Sequence, residues 1–217
     1  MPSRLRRPIH RLTDTPQWSD AAEQVARWFD LAPDLANSVE PAIPDDDVPL
    51  PTAGQVMLVT GPSGAGKTSL LRRLQGRHET ACFTDLADVA WQDGLVIDQF
   101  GDDIEGALVL LARFGLGEAR TYLRPPSALS DGQRWRLRLA RAVHGAPASA
   151  TLIADEFAAV LDRVTAHVVS RALRRAIDAS RQIGAIVATS HDDLTDALLP
   201  DLFVRCDFNS ITWARRT

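Results

Sequence analysis

Four short stretches hold most of the residues able to do chemistry in this chain of 217 residues: Gly61-Pro-Ser-Gly-Ala-Gly-Lys-Thr68, Leu129-Ser-Asp-Gly-Gln133, Leu152-Ile-Ala-Asp-Glu156 and Thr189-Ser-His191. The first fits the phosphate-binding pattern G-x-x-x-x-G-K-[ST]. Its glycines let backbone N–H groups curl around an anion, Lys67 reaches the β- and γ-phosphates, and Thr68 offers a hydroxyl to Mg²⁺. Gly61, Ser63, Gly64, Ala65, Gly66, Lys67, Thr68 and Ser69 are the expected nucleotide-contacting set. Alone, this loop indicates a nucleoside triphosphate and nothing finer.

The elements that must position these groups are legible around them. Val56-Met-Leu-Val-Thr60 is a short apolar run of the buried-strand type, and Ser69 to Leu74 continues as a helix with apolar residues at 70, 71 and 74. Strand, Gly-rich loop and helix in that order aim a helix N-terminus at phosphate. Thr151-Leu-Ile-Ala154 reads as a second buried strand that delivers two carboxylates at its end. Asp155 suits the Mg²⁺ shell, and Glu156 suits a general base that polarises the attacking water. A third apolar run, Ile183 to Ala188, sets His191 at a strand end. A helix is predicted from Asp131 to about Val143, with its N-terminus turned to an anion, Ser130 supplying a hydroxyl and Gly132 allowing close backbone approach. Asp131 brings a carboxylate beside that anion, at a cost, and is also a favourable capping residue.

With Leu129 to Gln133 in place, the chain resembles the ATP-binding-cassette (ABC) ATPases, whose signature reads L-S-G-G-Q; here Asp131 replaces the first glycine. The resemblance spans roughly residues 54 to 214. It implies an α/β fold of the P-loop NTPase type, with a mostly parallel sheet, helices on both faces and a short helical insert. It also implies that Ser130, Gly132 and Gln133 contact nucleotide. Ala159-Val-Leu-Asp162 matches the family's D-loop, which adds Asp162 to the nucleotide contacts, although Ala159 stands where a serine is usual. His191 takes the switch-histidine position at the γ-phosphate. Gln99, in the strand-like run Leu95-Val-Ile-Asp-Gln-Phe100, is the candidate Q-loop glutamine, ligating Mg²⁺ or the attacking water, with Gln92 as runner-up. The implied catalytic set is Glu156, His191 and Gln99, and the implied metal set is Thr68, Asp155 and Gln99. A narrower likeness, in Ile97 to Asp102, Asp155 to Ala158 and Leu161 to Ala166, is to ABC-type ATPases fused to a predicted acetyltransferase domain, for which this chain has too little extra sequence.

Composition bounds the reading. The length fits one α/β domain with a substantial core, and 45% hydrophobic residues is ordinary for a globular protein. A formal charge of -4, from 24 basic and 28 acidic residues, gives no bulk attraction to nucleic acid. The longest apolar run, Ala107 to Ala112, falls far short of the roughly 20 residues a spanning helix needs. Arg4-Leu-Arg-Arg7 is basic but lacks the apolar core of a secretory signal. Cys82 and Cys206 have no metal-ligand spacing, so reduced thiols and a cytoplasmic location are expected.

Residues 41–53, with four prolines and Asp45-Asp-Asp47, read as an extended connector between an N-terminal arm (1–40) and the ATPase domain (54–217). The arm carries one predicted helix, Ser19 to Leu31, capped by Ser19 or Asp20, with Ala22, Val25, Ala26 and Phe29 along its apolar face. Trp28 and Phe29 could stack on adenine or simply pack. The insert, about 102–128, is expected to be helical over Asp102 to Tyr122 and broken by Pro125-Pro126. Arg134, Arg136, Arg138 and Arg141 stud the signature helix. Arg171, Arg174, Arg175 and Arg181 stud a later helix, from about Val164 to Ser180. Each cluster reads as a solvated face or as a dock for an acidic partner, and Arg134 or Arg138 could instead serve the signature loop.

These features imply binding of ATP and Mg²⁺ and hydrolysis to ADP and phosphate, in a soluble head-to-tail homodimer whose closure and opening drive an unidentified protein partner. A nucleotide-gated clamp with slow hydrolysis and the ATP-binding subunit of an ABC transporter are the rivals.

Overall fold

The structure, a computed structural model, describes residues 19–28, 48–78, 80–208 and 210–216. Helix α1 (Asp20–Trp28) belongs to one compact unit and every later element to another, divided after Ala42. In α1 the Ser19 hydroxyl accepts from the Ala22 N–H at 3.3 Å, so Ser19 is its cap, and Trp28 is 70% exposed. Phe29, the arm beyond α1 and the first part of the connector lie outside the described residues; Val48 and Leu50, near the connector's end, pack with the body.

The body is built on one sheet, in the order β2 (Phe83–Asp85), β3 (Thr151–Ala154), β4 (Gly184–Ala188), β1 (Val56–Thr60), β5 (Leu202–Asp207) and β6 (Ser210–Arg215). The first five run parallel and β6 closes the edge antiparallel to β5. Alternation along the central strands divides the core between two faces. Val56, Leu58, Leu152, Ala154, Ala185 and Val187 meet α3 (Ile104–Arg113), α5 (Asp131–Gly145), α6 (Arg163–Ser180) and α7 (Thr195–Leu198). Met57, Val59, Ile153, Ile186 and Ala188 meet Leu70, Leu71 and Leu74 of α2 (Lys67–Arg77) on the other face. The fold is thus a mostly parallel α/β sheet with helices on both faces.

Topology assembles the chemistry. β3, β4 and β1 are neighbours, with Ala154 opposite Val187 and Val59 opposite Ala188. Asp155, the Thr189–His191 turn and the Gly61 loop therefore leave adjacent strand ends on one edge, the usual place for a ligand in an open parallel sheet.

Two local expectations are corrected. The helix predicted over Asp102 to Tyr122 is interrupted: α3 ends at Arg113, and a short helix, α4 (Ala119–Tyr122), follows. Gly115 adopts φ +75°, and a Cβ there would lie 2.6 Å from Arg136 Nη1. Arg136 donates to the carbonyls of Gly115 at 2.6 Å and Phe114 at 3.3 Å, satisfying groups that a continued helix would have used.

The arginines of α5 are likewise not a bare solvated face. Arg134 donates to Leu129 O at 2.6 Å, Arg138 stacks on Trp91 at 5.2 Å from the ring centre, and Arg141 donates to Ala90 O. Burial lowers the pKa of Arg136 from its ordinary value, opposed by the charge of Asp162. Side chains of this one helix therefore fasten the surrounding loops.

Candidate nucleotide site

Gly61 leaves β1 at φ +142°, and a Cβ on it would lie 2.0 Å from the Cys206 carbonyl oxygen on β5, so no side chain fits there. Gly64 and Gly66 follow at φ +79° and +85°, and a Cβ on either would meet no protein atom within 4 Å. The loop therefore encloses open space that its backbone rims. Gly66 caps α2 in the left-handed conformation, leaving the first N–H groups of that helix available to an anion. Lys67 Nζ donates to the carbonyls of Gly61 and Pro62, both at 2.8 Å, and so lies folded over the loop. Ser63 is exposed and Ala65 buried. Burial pushes the neighbouring Cys206 thiol up to about 11, against the lowering charges of Lys67 and Arg73.

Thr68 Oγ1 donates to Asp155 Oδ2 at 2.6 Å, bridging the helix after the loop to the end of β3. These are hard oxygen donors of the kind Mg²⁺ takes, placed beside the open loop, so they fit the expected ion. Asp155 Oδ1 accepts from the Glu156 N–H at 2.9 Å. Glu156 itself adopts φ +47° and Ala158 φ +60°, an uncommon conformation for residues with a Cβ, costing on the order of 1–3 kcal/mol each. The turn is held by the Phe157 N–H, which donates to Ala188 O at 2.8 Å, and by the buried Phe157 ring, edge-on to Trp135 at 5.1 Å.

The Thr189 N–H donates to Val59 O at 3.0 Å, tying the start of the His191 turn to β1. The His191 N–H donates to Thr189 Oγ1 at 3.2 Å, and Thr60 Oγ1 donates to Asp192. Asp193 pairs with Arg163 and, at 3.0 Å, with His167, both on α6. Burial raises the Asp193 carboxyl, but the His167 hydrogen bond and the charges of Arg163 and His167 outweigh it and leave the pKa below the usual carboxylate value.

The signature residues stand apart from this group: among the described residues no hydrogen bond or ion pair joins Ser130, Gly132 or Gln133 to residues 61–69. Ser130 caps α5, accepting from the Gln133 N–H at 3.3 Å while Gln133 Oε1 accepts from the Ser130 N–H at 3.0 Å. A Cβ at Gly132 would sit 3.1 Å from Leu161 in the segment before α6. Asp131 is ion-paired with Arg134, which offsets its charge next to the helix start. Asp162 caps α6 through Thr165, whose side-chain and backbone hydrogen bonds lower the carboxyl pKa.

The local structure expected around Gln99 requires a correction. The strand-like run that carries it is a 3₁₀ turn, Ile97–Phe100, and its side chain is buried. Its amide oxygen accepts from the Gln92 N–H at 2.9 Å, while the amide nitrogen donates to Gln92 O at 2.9 Å and Leu95 O at 3.2 Å. The oxygen by which an amide would take a metal is thus engaged by the Gln92 N–H within its own loop, and Gln92 is the exposed glutamine of the two.

Asp85, which the sequence did not single out, lies near Glu156, and its carboxylate caps the following turn by accepting from the Ala87 N–H at 2.9 Å. It ends β2 opposite Ile153, and a cavity of about 190 Å³ is lined by Asp85, Ala87, Trp135, Arg138, Asp155 and Glu156. A three-residue strand carries no periodicity by which to find it.

No protein-family model matches the chain. The aliphatic sulfonates import ATP-binding protein SsuB 1 of Paracoccus denitrificans (strain Pd 1222) is 32% identical over 182 residues, covering 74% of this chain and 71% of that protein. The cytochrome c biogenesis ATP-binding export protein CcmA of Nitrosospira multiformis is 29% identical over 176 residues, covering 65% and 81%. Among solved structures, the dimeric post-hydrolysis state of the ATP-binding cassette MJ0796 bound to ADP and Pi matches with a TM-score of 0.59 at 16% identity, over 78% of this chain and 89% of that one. CbiO1 from Clostridium perfringens matches with a TM-score of 0.56 at 19% identity, over 75% and 78%. At such identities the solved structures speak to the fold alone. The chain belongs to the ATP-binding-cassette family of ATP-binding proteins, and it is an ATPase with the P-loop fold.

Proposed function

We propose that this chain hydrolyses MgATP in a head-to-tail homodimer and passes the resulting closure and opening to a protein partner. The carrying observation is the 2.6 Å contact between Thr68 and Asp155 beside the open glycine loop, with Glu156 next in the chain. Thr68 and Asp155 would hold Mg²⁺, which when bound offsets the phosphate charge. Gly61 to Ser69 would bind the phosphates, Lys67 moving from the loop carbonyls to the β- and γ-oxygens. Glu156, at the strained turn, would take the proton of the attacking water, and His191 would orient the γ-phosphate. Ser130, Gly132 and Gln133 would close the site of the opposite chain, with Asp162 at the seam. Residues 1–40 would be an arm, 41–53 a connector and 54–217 the ATPase domain, the whole acting from the cytoplasm.

A Glu156→Gln variant tests this. Turnover should fall by about 10² to 10⁴, the usual contribution of a general base, while bound MgATP holds two chains together in sedimentation. A monomer with both ATP and ADP would sink the dimer.

A second reading is favoured by the relatives' names, which are those of import and export ATP-binding proteins. Under it the partner is a membrane-embedded subunit, and among the described residues no helix is long and apolar enough to cross a membrane itself. The narrower likeness to ATPases fused to an acetyltransferase would instead make that enzyme the partner. Stimulation of turnover by either reconstituted partner would choose between them.

A further inference from the structure

A second cleft lies outside the nucleotide site, along the exposed side of α6. Its volume is about 480 Å³, and it is lined by Arg113 at the end of α3 and by Val168, Arg171, Ala172, Arg175 and Ala179 of α6. The α6 residues fall near i, i+3, i+4, i+7 and i+11, so they share one face of the helix. Val164, one turn before them on that face, is 75% exposed, and Val168 is 48% exposed. On α3, Val109 stands one turn before Arg113 and is 52% exposed. The α6 wall therefore combines an uncovered valine with arginine, and Arg113 faces it from α3.

Among the described residues the charge has no counterpart: the side chains of Arg113, Arg171 and Arg175 make no hydrogen bond or ion pair. Arg174, between two of them in sequence, is turned inward instead, onto Asp178, Asp201 at 2.5 Å and Gly54 O at 3.2 Å. A like-charged i,i+4 pair such as Arg171 and Arg175 disfavours its own helix. In a chain of net charge -4, three unpaired arginines around one cleft are not a by-product of general basicity.

We infer that this cleft docks an acidic amphipathic helix of a partner protein, its carboxylates on Arg113, Arg171 and Arg175 and its apolar side chains on Val168 and the alanines. Small side chains at Ala172 and Ala179 admit close approach of a second helix, and an i, i+4 arrangement of apolar and charged anchors is how a groove reads one. Arginine forks suit carboxylates. Nucleic acid is the poorer fit, because the lining has no aromatic ring on which a base could stack. None of the lining residues belongs to the phosphate- or metal-contacting set, so the cleft can be tested apart from hydrolysis.

The probe is a fluorescein-labelled synthetic peptide of about 16 residues, four helical turns, with glutamate and leucine at i, i+4 spacing, titrated with the full chain and followed by anisotropy. Saturable one-to-one binding is expected. Arg171→Glu with Arg175→Glu should weaken it roughly tenfold or more, leave ATP turnover unchanged, and create a preference for the same peptide with lysine in place of glutamate. A polyglutamate of equal charge should bind at least about tenfold more weakly than the leucine-bearing peptide, since it lacks the apolar contacts. Val168→Glu is a single-site check should the double variant misfold. Equal affinity of the leucine-bearing peptide for wild type and either folded variant would overturn the proposal. So would tighter, arginine-dependent binding of an oligothymidylate of the same length, which would make this a nucleic-acid groove. Displacement of the peptide by low-millimolar inorganic phosphate would overturn it in favour of a small-anion site.

Discussion

Lys67 presents the clearest difference between what a residue does in the unliganded chain and what it is for. Its ammonium donates to two carbonyls of its own loop, Gly61 and Pro62, contacts that satisfy the charge locally and leave the glycine-rimmed space open. Lys67→Ala removes the cation destined for the phosphates, and one charge-assisted contact of this kind is worth roughly 1.5–3 kcal/mol. Nucleotide affinity should therefore fall by about 10- to 150-fold, read by equilibrium titration with a fluorescent ATP analogue; unchanged affinity in the folded variant would remove the phosphate-binding role of the loop. Positions of this sort are legible in a sequence because the chemistry itself restricts residue type within eight consecutive residues. Gln99 was not legible in the same way. Its partners are the main chain of Gln92 and Leu95, and only the folded turn reveals that its amide is held there. Asp85 reaches the cavity beside Glu156 through the pairing of β2 with β3, whose sequence separation exceeds any local pattern.

At the scale of elements, α6 connects two functional turns. Its first residues follow Asp162, and Arg163 and His167 hold Asp193, two residues beyond His191. The Asp193 carboxyl sits below its usual pKa, so it binds protons less readily in the folded chain than in the unfolded one. Its stabilising effect is complete above the unfolded value of about 4 and is lost as pH falls through the lowered folded value. Asp193→Asn should consequently lower the urea midpoint at pH 7, and the gap to wild type should close below pH about 4. A gap that persists unchanged in acid would mean the carboxylate charge is not what binds the turn to α6. Because these groups are partly exposed, the effect is expected to be small and to shrink with salt. Buried strands such as β1, β3 and β4 announced themselves as apolar runs, and α5 and α6 as long helical periods. The break in the insert did not, since it depends on Arg136 reaching from α5 to Phe114 and Gly115. The edge strand β6 was also hidden, because its mostly exposed side chains leave no apolar face to read.

For the whole molecule, the strand order brings three motif-bearing ends together on one edge, whereas among the described residues no hydrogen bond or ion pair joins Ser130, Gly132 or Gln133 to the glycine loop. This separation is what a composite site requires: the half carrying Lys67, Asp155, Glu156 and His191 from one chain, and Ser130 from the other. The geometry can be tested by mixing two lesions. Ser130→Arg puts a bulky cation where the signature must meet phosphate, and Lys67→Ala empties the loop, so each homodimer should be inactive. A heterodimer of the two carries both lesions in one site and none in the other. Partial ATPase activity should therefore return on mixing, up to about half of the sites in each heterodimer under symmetric assembly. Co-purification of two differently tagged chains with MgATP reports whether mixed dimers form, so that silence despite their presence would report obligatory cooperation between sites. Full activity of Ser130→Arg alone would contradict the shared site directly, since no rearrangement of a tight signature contact accommodates an arginine without weakening it.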